Sequence, residues 1–222
     1  MVNHFEHVRF HPVIGDRYKE SNPLGIRLLI LGESHYRWEG APQLLADTTR
    51  VALGDGTYPF WKSLAAKVGT SDIDGGFWRS VAFYNYVQEF VGDGSRVRPT
   101  EGMWRSKQSI EGFKEVLEDC KPERILVIGK DTWRMMAGGE EDFRTGAPII
   151  ERRFPLPPDF SKGFSPEEGG YAFWYPTGGT TYALAAPIYH PGYPKGFHSV
   201  STSDVVTQLL RKDWIAPSVS AN

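Results

Sequence analysis

GIRLLILGESHY, residues 25–36, is the stretch on which the fold turns. Ile26 to Leu31 make a short apolar run interrupted only by Arg27, and Gly32 ends it. A run of this kind, closed by a glycine, suits a strand buried on both faces, as in a parallel sheet covered by helices. Immediately after it come Glu33, Ser34, His35 and Tyr36: an acid, a hydroxyl, an imidazole and a phenol at a strand's carboxyl end. In an open parallel sheet, ligands bind outside that end.

Working outward, strand and helix patterns alternate. PFWKSLAAKVG reads as a helix, with Pro59 near its start and Gly69 after its end. SVAFYNYVQEF reads as extended through Phe83, with Asn85 just past it. SKQSIEGFKEVLEDCKP is an amphipathic helix that puts Ile110, Phe113, Val116 and Leu117 on one face, with Pro122 beyond its end. ERILVIG is a second parallel strand, and KDTWRMMAGG opens a helix capped by Asp131 or Thr132. TTYALAAPIYHP is a third strand that runs out at His190, and STSDVVTQLLRKDW is a last helix capped by Ser201 or Ser203. The pattern predicts one α/β domain over residues 1–222, a three-layer α/β/α sandwich with a short, mostly parallel central sheet. Strands are expected at 26–31, 124–129 and 182–189. Residues 1–22 read as an N-terminal arm, and 139–180, with GGEEDF, PLPPDF and EEGG, as a long surface excursion. Glu33 to Tyr36, Asn85 and His190 then fall at three equivalent strand ends, which predicts a site.

The 222 residues are 40% apolar and 23% charged, the composition of a soluble domain. A net charge of −2 excludes a uniformly basic nucleic-acid binder, so any such contact must come from a local patch. The single cysteine, Cys120, leaves no intramolecular disulfide and no cysteine-held cluster or zinc, which suits a reducing cytoplasm. No signal-like stretch opens the chain and no apolar run is long enough to span a bilayer, so no membrane partner is expected.

GESHY, VAFYNYV and HPGYPKGF resemble, in order, the three pocket motifs of the uracil-DNA glycosylase superfamily. Gly32, Glu33, Ser34 and Tyr36 match positions of its first motif, which reads Gly-Gln-Asp-Pro-Tyr-His in one branch and Gly-Glu-Ala-Pro-Gly in another. PFWKSL and ERILVIGKDTW resemble neighbouring elements, so the likeness extends over most of residues 26–213. It implies hydrolysis of the N-glycosidic bond of a flipped uracil or related damaged base in DNA, without a cofactor. The base must leave as an anion while the sugar gains cationic character, so the site needs three things: a donor to the base oxygen, a reader of the base edge, and a group that orients water. By the resemblance His190 is the donor, Asn85 the reader, and Tyr36 excludes a methyl group. Tyr58 and Phe60 are candidates for stacking. Ser34 stands where one branch has an acidic water-activating residue, which passes that role to Glu33. Lys195 and Arg105 are candidate phosphate contacts, with Arg96, Arg98 and Lys107 in the same basic stretch as Arg105. Phe197 or Tyr193 is a candidate wedge into the gap that a flipped base leaves.

Three other readings compete with it. The first is a protein of the same fold that binds nucleobases or nucleic acid without chemistry. The second is a GDSL-like hydrolase with Ser34 as nucleophile, though Pro187 occupies the place of the acid expected before His190. The third, a zinc site built from His4, His7 and His11, is disfavoured because Pro12 argues against the helix that would align them, so no metal site is expected.

Overall fold

The computed structural model describes residues 5–19, 22–37, 59–68, 76–93, 97–139, 142 and 172–213. In chain order the elements are β1 (Val13–Ile14), β2 (Leu28–Gly32), β3 (His35–Arg37), α1 (Pro59–Val68), α2 (Phe77–Ser80), β4 (Ala82–Asn85) and β5 (Phe90–Asp93). They continue with α3 (Glu101–Trp104), α4 (Lys107–Cys120), β6 (Arg124–Ile128), α5 (Lys130–Met135), β7 (Phe173–Pro176), β8 (Tyr182–Ile188), α6 (Pro194–Phe197) and α7 (Val200–Leu209).

The apolar run of the opening stretch is the inner strand β2. Leu28 to Leu31 are fully buried, and alternate side chains serve opposite faces. Leu29 and Leu31 pack with Phe113, Val116 and Leu117 of α4 and Trp133 of α5. Leu28 and Ile30 pack with Trp61 and Leu64 of α1 and with Val205, Val206 and Leu209 of α7. Each such side chain contributes about 1.5–3 kcal/mol when it leaves water. The six-stranded sheet has the order β1-β4-β2-β6-β8-β7. Its four inner strands are mutually parallel, and β1 and β7 close the two edges antiparallel. The fold is therefore α/β with a mostly parallel central sheet and helices on both of its faces. A separate pair, β3 with β5, stands just beyond β2 and β4.

This order locates a crevice. From β2 the chain moves to β4 on one side, then crosses back to β6 and β8 on the other. The crossover helix α1 lies on one face, while α4 and α5 lie on the other. The reversal falls between β2 and β6, so the connections leaving their carboxyl ends diverge.

All three expected strands are present within a residue or two. Several other readings need correction. The supposed N-terminal arm is part of the body: β1 pairs with β4, and Val8, Phe10 and Tyr18 are buried. Apolar side chains at every few positions made this segment worth burying. The supposed excursion is partly sheet. Its end forms β7, with Phe173 and Tyr175 in one core and Trp174 in the other. Residues 140–141 and 143–171 lie outside the described residues. Helix α5 has no side-chain cap: Gly129 takes the cap position and Thr132 Oγ1 donates back to the Ile128 carbonyl. Helix α7 is capped by Ser199, whose Oγ accepts from Thr202 N–H, rather than by Ser201 or Ser203.

Candidate functional site

Gly32 and Asn85 end neighbouring parallel strands in register. A Cβ on Gly32 would come within 2.1 Å of Asn85 Oδ1 and 3.0 Å of Phe83 Cζ, so glycine is what lets the amide lie against the end of β2. Beyond the strand the backbone stays fastened: Tyr86 N–H donates to the Gly32 carbonyl at 3.0 Å and Val87 N–H to that of Glu33 at 2.9 Å. Asn85 is buried, and its Nδ2 sits 3.3 Å from Nδ1 and 3.2 Å from Nε2 of His35. An amide nearly equidistant from both ring nitrogens lies off the in-plane direction of each, so these contacts leave its hydrogen-bonding capacity largely unspent. Burial holds His35 neutral, its pKa pushed down to about 4.

His190 lies two residues beyond β8. Gly192 N–H donates to its Nδ1 at 2.9 Å, which puts the ring proton of the neutral form on Nε2. Burial, and secondly the nearby Arg98 charge, lower its pKa and favour that neutral form. The Phe60 ring lies beside the imidazole, centroids 5.3 Å apart and planes inclined by 36°. Gly129, at the end of β6 with φ +95°, faces His190 as well, and a Cβ there would sit 3.8 Å from that of His190.

Glu33 enters the crevice between β2 and β6. Desolvation raises its pKa, Arg98 opposes the rise, and Asp131 adds to it. Arg98 Nη1 donates to Glu33 Oε1 at 3.0 Å. A cleft of about 280 Å³ opens here, lined by Glu33, Arg98, Glu101, Trp104, Asp131 and Arg134 among others. Tyr36 stands near Glu33, and burial followed by the Glu33 charge raises its phenol pKa. Ser34 is buried. Its hydroxyl is close enough to favour the charged forms of Glu33 and Tyr36 but makes no hydrogen bond of ordinary geometry. No imidazole hydrogen-bonds to it among the described residues, which leaves a Ser34 nucleophile without its base.

The remaining expected contacts divide. Lys195 is exposed on α6. Phe197 is not a wedge: it is 1% exposed and packs in the core with Val205 and Leu209, while Tyr193 next to it is 54% exposed. The Pro194 turn directs one aromatic inward and the other out. Arg105 is engaged in an ion pair with the buried Asp142, which withdraws it from any phosphate. Tyr58 lies outside the described residues. His7 is bonded to Glu115, its Nδ1 2.6 Å from Oε1, and His11 lies edge-on to Phe5; His4 lies outside the described residues. Among the described residues no group of three His, Cys, Asp or Glu is arranged to hold a metal, and no helix is long and apolar enough to cross a membrane.

The carboxyl ends of the parallel strands thus carry the Asn85 amide, a neutral imidazole N–H beside an aromatic ring, and a mostly covered acid held by an exposed guanidinium. Arg98 is the member whose partnership the sequence did not announce; its place in a basic stretch suggested a phosphate contact instead. No protein-family profile matches the chain, and no curated protein matches it either.

Proposed function

We propose that the chain is a three-layer α/β/α protein of uracil-DNA glycosylase type that hydrolyses the N-glycosidic bond of a flipped uracil or related damaged base in DNA. The observation that carries the reading is His190. Its Nδ1 is occupied by Gly192 N–H and its ring is held neutral, which leaves Nε2–H to donate to a base carbonyl beside the Phe60 ring. An amide such as Asn85 offers one donor and one acceptor, the complement of a pyrimidine edge. Glu33, mostly covered and with a raised pKa, suits the orientation and deprotonation of water. The exposure of Lys195 and Tyr193 just after His190 supports a role for them as DNA contacts. The single buried Cys120 suits a reducing cytoplasm.

A second reading has one observation in its favour. The Glu33 carboxylate is already bound by Arg98, as it would be in a protein that holds a base without cutting it. Incubation with uracil-containing single- and double-stranded oligonucleotides, then alkaline cleavage at abasic sites, separates the two. Strand breaks at uracil are expected. Retention of the oligonucleotide without breaks supports the binding module, and neither result would remove both.

A further inference from the structure

Arg98 and Glu33 form a one-sided pair. The Glu33 side chain is 11% exposed, and the Arg98 side chain is 59% exposed. A mostly solvated guanidinium adds little to folding through such a pair, yet here it bonds a mostly covered acid at the mouth of the crevice. The same guanidinium is close enough to His190 to disfavour protonation of that ring. A long cation therefore bonds the candidate base and lies within electrostatic range of the candidate donor.

We propose that Arg98 is a catalytic residue of the reaction described above, its guanidinium passing from Glu33 to the departing base and sharing the negative charge there with His190. This rests on the glycosidase reading and deepens it. As the C1′–N bond breaks, its electron pair goes to the base. Water supplies hydroxide to C1′ and its proton to Glu33. The base anion accepts hydrogen bonds from His190 Nε2–H and from Arg98, and is then protonated from solvent. The starting ion pair already has the polarity that the reaction creates: an anion for the cationic sugar and a cation for the anionic base. Glu33 loses its cation as the base takes it, which strengthens Glu33 as a base when the water must give up its proton. The other charged and titratable groups facing the pair are Asp131 and Arg134 of α5, Glu101 of α3, Tyr36 of β3 and His190.

Free 5-fluorouracil is the probe, its ionisation followed by ultraviolet absorbance while bound to wild-type protein, Arg98→Gln and Arg98→Lys. The wild type is expected to ionise the bound base at a pH at least about one unit below that of the free base, a tenfold preference for the anion. Arg98→Gln should bind the neutral base and lose most of that shift, and Arg98→Lys should keep part of it. On DNA, the rate lost in Arg98→Gln should be larger for uracil than for 5-fluorouracil, the more acidic leaving group. A purely structural arginine would give the same loss for both. An unchanged shift in Arg98→Gln overturns the role of Arg98 and leaves the base pocket standing. Absence of any base binding to the wild type overturns the pocket, and the role of Arg98 with it.

Discussion

His190 and Glu33 are separated by most of the chain yet lie at the ends of strands that share one neighbour, β6. Their proposed tasks make different demands on substitution. His190→Ala removes the N–H donor, and Glu33→Gln keeps the shape while removing the base. Each should slow uracil release by about 10²-fold or more in single-turnover assays, whereas Ser34→Ala should have a much smaller effect. Equal rates in all three variants would detach both residues from the chemistry. Gly32→Ala tests the role proposed for Asn85 without substituting it, because the added methyl must displace the Asn85 amide. Loss of uracil binding should follow, and Asn85→Ala should reproduce it. At this scale the polar residues at strand ends were legible, since position after an apolar run is a property of sequence. The Arg98–Glu33 pair was not, because it bridges 65 positions and depends on how the loop before α3 folds over the crevice. Phe197 was misread because a turn with two nearby aromatics does not say which of them faces inward.

Helix α4 was legible because its signals agree. The Ser106 hydroxyl accepts from Ser109 N–H at the start, and Phe113, Val116, Leu117 and Cys120 line the buried face. Its end stores a cost that the sequence hides: Lys121 closes the helix at φ 45°, the left-handed conformation that glycine adopts more easily. Lys121→Gly should therefore raise stability by about 0.5–1 kcal/mol in urea denaturation, because the backbone carbonyl that accepts from Arg27 Nε is retained. A loss of stability would show that the lysine side chain makes contacts that outweigh the strain. The caps of α5 and α7 differ from expectation for separate reasons. Helix α5 starts at Gly129 with no side-chain cap, and Thr132 lies inside it, bonded back to the Ile128 carbonyl. At the start of α7, Ser199, Ser201, Thr202 and Ser203 crowd together, and the exit from α6 puts the first of them at the cap.

At the scale of the molecule, alternation of strand and helix revealed parallel pairing, but no local pattern encodes which strand lies beside which. The edges were also hidden, since β1 is two residues long and β7 sits among glycine- and proline-rich sequence. Once the N-terminal segment is seen to pack against the site, it ties pocket chemistry to global stability. Phe10 meets the His35 ring edge-on with centroids 4.5 Å apart, and its N–H donates to Gln88 Oε1 at 2.8 Å. Enclosed in this way, His35 has a pKa of about 4 against its ordinary 6.5. The unfolded chain, where His35 titrates near 6.5, therefore binds more protons at this site than the folded chain between those values. The contribution is complete above pH 6.5 and is lost as the pH falls toward 4. His190, also depressed, acts in the same sense, whereas Glu33, with a raised pKa, acts in the opposite one. Glu115 is lowered below its ordinary 4.5 and adds its loss only at more acid pH. Between pH 7.5 and 5 the His35 share is on the order of 2 kcal/mol. Urea midpoints of the wild type should fall across that interval. Those of His35→Gln should fall clearly less, whatever its stability at pH 7.5, because glutamine takes up no proton. Parallel slopes for the two proteins would mean that water reaches the imidazole, and that the N-terminal segment does not close over the site as the packing of Phe10 requires.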